Sequence, residues 1–174
     1  VGTKGAPAIE TLTLDPYFDL ELFMLLSQNK RLDTATAELA EECWRRWHDR
    51  MQGRRIGNQG QGYLLLWLEE SVEREVNSTW DEAPSRAFTM NSVAQSMLMA
   101  VVREYLPEVG GSGCAPVPKP TPALKKALKE IGVPWNDNAT LARQYAMLTP
   151  FPFKGSCGIC YLKEECPNSE RGKG

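Results

Sequence analysis

The chain has a single histidine, His48, among 174 residues. That scarcity excludes a di-iron helical bundle, which needs two Glu-x-x-His pairs. It also leaves any Ser-His or Cys-His catalytic pair only one base to draw on. His48 stands between Trp47 and Asp49 on an arginine-rich stretch with no nucleophile turn beside it. No strong charge excess exists either: the formal net charge is -2, which excludes a uniformly basic coat for nucleic acid but not a local basic patch. Long apolar runs are missing as well. The densest, Tyr63 to Leu68, spans six residues, far short of a bilayer crossing, so no membrane partner is expected. The opening Val1-Gly-Thr-Lys-Gly lacks both an initiator Met and the apolar segment of a signal peptide. Neither glycine-rich link carries the Gly-Lys-Ser/Thr ending of a phosphate loop.

What is present is helical periodicity. Asp15-Pro16 predicts a helix start followed by an apolar segment from Tyr17 to Gln28. Asp33 predicts the cap of a longer helix reaching about Gln52, with Leu39, Cys43 and Trp47 on its buried stripe. After the link Gly57 to Gly62, the positions Leu64, Trp67, Leu68, Val72 and Val76 suit one face of a third helix. Asp81 and Pro84 open a fourth, whose stripe runs Met90, Val93, Met97, Val101 and Tyr105; its methionines read as core filler. From Gly110 to Pro122 the composition becomes that of a linker. Thr121-Pro122 then begins a short basic helix ending at Gly132, and Asn138 begins another running to about Leu148. No alternating run demands a strand. The expected fold is therefore all-α: about four longer helices, two short C-terminal ones and a metal-stapled tail. The expected organisation is a helical domain over 1–110, with linker, short helices and cysteine-rich tail over 111–174 packed on it.

Five cysteines stand out: Cys43, Cys114, Cys157, Cys160 and Cys166. An odd number bunched towards one end fits a disulfide framework poorly, and the expected compartment is reducing and cytoplasmic. Two residues separate Cys157 from Cys160, and five separate Cys160 from Cys166. The short gap turns two thiolates towards one centre, and the longer one swings a third back. A fourth ligand is needed. Cys114 is preferred, because its Gly/Pro-rich segment can reach the tail, whereas Cys43 lies on an apolar stripe as a small core residue. The expected cofactor is a [4Fe–4S] cluster on Cys114, Cys157, Cys160 and Cys166, with zinc on the same sulfurs as the alternative.

The triplet, followed by Pro167 and preceded by the remote Cys114, resembles the [4Fe–4S] staple of RecB-like nucleases. The order of the four cysteines also resembles that of WhiB-like regulators, and helix-hairpin-helix DNA glycosylases end in a related cluster. The resemblance implies a cluster and nothing more. The chain has no Asp followed by the Glu-x-Lys of the nucleases, no Gly-Val-Trp-Gly-Gly turn of the regulators and no glycosylase hairpin, so their activities are not carried over.

Two basic stretches complete the inventory. Arg45, Arg46 and Arg50, with Arg54 and Arg55 beyond, interleave with Trp44 and Trp47 and could meet phosphates and bases; acidic Glu38, Glu41 and Glu42 one turn earlier favour a salt-bridged face instead. Lys125, Lys126 and Lys129 form a second basic surface. No catalytic constellation emerges, so the chain is not expected to be an enzyme by itself. The reading is an iron–sulfur accessory or regulatory protein associated with nucleic acid, with an electron-transfer or redox-sensing subunit and a zinc-stapled protein-interaction domain as alternatives.

Overall fold

A computed structural model describes residues 6–58, 60–110, 114–138, 140–154 and 157–166. The elements in chain order are β1 (Ile9–Thr11), α1 (Leu20–Leu26), α2 (Thr34–Trp47), β2 (Met51–Asn58), β3 (Gln61–Leu68), α3 (Glu70–Glu82), α4 (Pro84–Tyr105), α5 (Pro122–Ile131) and β4 (Ala146–Phe151). The four strands form one antiparallel sheet in the order β1-β2-β3-β4. The all-α expectation is thus overturned: the fold is mixed, with five α-helices and a four-stranded sheet among the described residues.

Three expected helical stretches turn out to be strand. The chain leaves the helix at Trp47, passes through a short 3-10 turn and enters β2 at Met51. The run Leu64 to Leu68 is the C-terminal part of β3, buried on both faces. Leu64, Leu66 and Leu68 pack into the core made with α1 to α4, while Leu65 and Trp67 join Leu124, Ala127 and Leu128 of α5 on the other side. A strand covered on both faces shows no alternation, because both sets of side chains must be apolar. The stretch after Asn138 is loop and then β4, not helix. Pro150 sits in β4 opposite Tyr63, and β4 is an outer strand, where a residue without an N–H is tolerated.

The helix boundaries follow local chemistry. Asp33 caps α2 by accepting from Thr36 N at 2.8 Å, and Thr121 caps α5 by accepting from Leu124 N at 3.2 Å. Gly132 ends α5 in the left-handed conformation, φ 90°. The β2–β3 hairpin requires glycine at Gly57, where φ is 124° and a Cβ would lie 2.8 Å from the Gln61 carbonyl oxygen. The sheet is therefore sandwiched between the α1–α4 layer and α5. Because β4 belongs to the segment beyond residue 110, the sheet is completed by strands from both sides of the expected boundary.

Candidate metal centre

The cysteine tail is wound by consecutive tight turns. Cys160 N donates to the Cys157 carbonyl at 3.3 Å, Lys163 N to the Cys160 carbonyl at 3.3 Å, and Glu165 N to the Leu162 carbonyl at 3.1 Å. Cys157, Cys160 and Cys166 are all half-buried. The segment from Cys114 to Pro118 lies alongside as a strap. Val117 N donates to Cys160 Sγ at 3.4 Å, and Tyr161 N donates to the Val117 carbonyl at 2.8 Å. On its other side the strap is tied to the sheet: Thr149 Oγ1 donates to the Pro116 carbonyl at 3.0 Å, and Thr149 is fully buried. The Tyr161 ring meets Trp135 edge-on, with centroids 6.4 Å apart. The centre thus sits at the β4 edge of the sheet.

These contacts bring Cys114 within electrostatic reach of the triplet. Desolvation, and after it the charges of Cys160, Cys166 and Cys157, hold the Cys114 thiol above its ordinary value. One expectation needs correcting: among the described residues, no three His, Cys, Asp or Glu side chains are gathered into a group that could hold a metal ion. The turns and the strap set the backbone, but the sulfurs are not clustered as the spacing led one to expect. Pro167, part of the sequence motif, lies outside the described residues, as do residues 111–113 of the linker.

Cys43 is held apart from this group. It is fully buried in the main core with Leu39 and Trp47, and burial pushes its thiol from 9.0 up to about 11, the nearby Arg46 opposing the shift. The unfolded thiol ionises first, so the unfolded state binds fewer protons than the native state between these values. Stability should therefore be intact below about pH 9 and fall as pH rises towards 11. Urea midpoints followed across that range should show the decline in the wild type, and Cys43→Ala should show a shallower one. An identical slope in both proteins would refute the assignment.

The expected nucleic-acid residues are dispersed. On α2, Arg45 pairs with Glu41 at 2.6 Å, and Arg46 pairs with Glu42 at 2.7 Å and with Glu75 of α3. Arg50 donates to Ser71 Oγ at 2.7 Å. Arg54 lies over the Trp67 ring at 5.3 Å and Arg55 over the Phe151 ring at 5.4 Å. Trp67 belongs to the α5-side core and Phe151 to the opposite one, so these two neighbouring arginines point to opposite faces of the sheet. Lys125, Lys126 and Lys129 are exposed on α5, Lys126 lying 3.9 Å from Glu130. His48 Nδ1 is 2.8 Å from the Arg45 carbonyl and its ring stacks on Trp44.

Sequence reasoning missed Val117, Thr149 and Trp135. A valine between two prolines carries no recognisable signal, and the strap's contacts arise only once β4 is in the sheet. No known family model matches this chain, and neither curated proteins nor solved structures provide a match. Among the described residues no helix is long and apolar enough to cross a membrane.

Proposed function

We propose that Cys114, Cys157, Cys160 and Cys166 take up a [4Fe–4S] cluster and that the protein is a cluster-binding accessory or regulatory factor. The observation that carries this reading is the strap: two backbone hydrogen bonds lay Cys114–Pro118 against Cys160 and Tyr161. The strap that carries the remote Cys114 thereby runs beside the triplet, with Val117 N 3.4 Å from Cys160 Sγ. All-thiolate ligation and N–H donors to sulfur suit iron–sulfur chemistry. Zinc on the same four sulfurs is the competing occupant.

The cluster would join the tail, the strap and, through Thr149, the sheet edge. Its role is then first that of a staple, with redox sensitivity following from the metal. The arginines of α2 play no part in the proposal, because carboxylates already engage them.

Anaerobic purification followed by iron, acid-labile sulfide and zinc analysis tests the reading. About four irons and four sulfides per chain, with broad visible absorption, are expected. A colourless protein carrying stoichiometric zinc would overturn it.

A further inference from the structure

Although no three metal-binding side chains gather among the described residues, two of the tail cysteines are brought over each other. Cys157–Ile159 is a single turn of 3-10 helix, closed by the bond from Cys160 N to the Cys157 carbonyl at 3.3 Å. In such a turn residues i and i+3 are eclipsed, and a rise of about 2 Å per residue sets their Cα atoms roughly 6 Å apart. A disulfide bridges Cα atoms about 4.4–6.8 Å apart. Cys157 and Cys160 therefore stand within bridging reach of each other. Cys166 follows only after the further turns at Lys163 and Glu165, and Cys114 is exposed on the strap.

The surroundings suit a pair that opens and closes. On one side Cys160 is held against the strap, its Sγ accepting the Val117 amide at 3.4 Å and the next amide, Tyr161 N, donating to the Val117 carbonyl at 2.8 Å. The strap is itself tied to the sheet through the buried Thr149 hydroxyl. On the other side the turn is open: Gly158 and Ile159, the two residues between the cysteines, are exposed, and both thiols are half-buried. A small oxidant can reach them. Cys-x-x-Cys pairs exchange readily with other disulfides, and in a reducing compartment the bridge they form is transient.

We propose that Cys157 and Cys160 are a dithiol that closes reversibly to a disulfide, with low-molecular-weight disulfides as the oxidant. One protein thiolate attacks a sulfur of the oxidant; the S–S bond of the oxidant breaks and half of it leaves as thiolate. The second protein thiolate attacks the resulting mixed disulfide and expels the other half. Two protein thiols lose two electrons, the external disulfide gains them and becomes two thiols, and the two protein protons end on the leaving groups. The proposal concerns the metal-free chain and does not rest on the cluster reading.

The test counts thiols. Reduced protein, freed of metal with a chelator, is equilibrated with glutathione buffers of rising oxidised fraction, quenched with acid, alkylated and digested with trypsin. Cleavage after Lys154 and Lys163 isolates both cysteines in the peptide 155–163. That peptide should lose two hydrogens and both alkylation sites together, while Cys43, Cys114 and Cys166 still alkylate. Dithiothreitol should restore both sites. Cys160→Ser should abolish the closed peptide and leave Cys157 as a glutathione mixed disulfide, whereas Cys114→Ser combined with Cys166→Ser should retain it. The wild-type measurement needs no variant to fold. Earlier closure of another pair, such as Cys114 with Cys166, or separate glutathione adducts on Cys157 and Cys160 of the wild type, would overturn the proposal. Iron analysis of the purified protein decides the cluster reading independently, so the two can fail separately.

Discussion

Under the cluster reading proposed above, replacing Cys160 with Ala is expected to abolish cluster binding and to release the strap in the same step. Cys160 is the middle sulfur of the triplet, and it also accepts the Val117 amide. Its loss would remove one ligand and leave the Val117 amide without its acceptor. A three-cysteine remnant would have to recruit a distant group, and Cys43 is sealed in the core. Iron and visible absorption should fall nearly to zero after anaerobic purification. The helical layer and the sheet do not depend on this residue, so far-ultraviolet circular dichroism should change little. Limited proteolysis should instead open new sites near 114–118 and 157–166. Cys43→Ala is the matched control and should retain its full iron content. Wild-type iron content in Cys160→Ala would sink the assignment.

The second large effect is thermodynamic. Trp47 is 1% exposed, closes the last turn of α2, and donates through Nε1 to Glu75 of α3 at 2.8 Å. Trp47→Ala empties a large volume where α2 meets α3, and substitutions of this kind cost about 3–5 kcal/mol. Against a total stability of roughly 5–15 kcal/mol for a domain, that is a large fraction. Trp47→Phe should recover most of it, because it refills the cavity and loses mainly the hydrogen bond to a carboxylate still reachable by water. Urea denaturation of the three proteins would measure the order, and an unchanged midpoint for Trp47→Ala would refute it. The same substitution should leave the iron content of the folded fraction intact, because Trp47 packs in the α1–α4 core and Cys160 sits at the β4 edge.

The parts legible in the sequence were those governed by nearby residues. Asp33 caps α2, Pro84 opens α4, and Thr121 and Gly132 bracket α5, each through chemistry acting within a turn. The buried stripe of α4 held as well, with Met90, Val93, Met97 and Val101 in the core. The sheet was not legible. Leu64, Trp67 and Leu68 happen to fall at helical spacing, and they continue in register with Val72 and Val76 of the true helix α3. Burial on both faces removed the alternation that would have marked β3. Gly57 looked like a linker where a hairpin needs it. In the candidate site, the spacing of Cys157, Cys160 and Cys166 could be read directly. The ties from Thr149 to Pro116 and from Val117 to Cys160 could not, because they join segments that meet only in three dimensions.

The placement of β4 also orders events in time. The β2–β3 hairpin and the helices bring together neighbours in sequence, whereas β4 pairs with a strand at least 79 positions earlier, Ala146 opposite Trp67. Contacts across so long a loop form late, since the chain must first surrender the entropy of closing it. Thr149, which anchors the strap, is on this strand, and Cys157 follows its end by six residues. The strap and the cysteine tail therefore meet only after the last strand has docked, so under the proposed reading metal uptake would come at the end of folding.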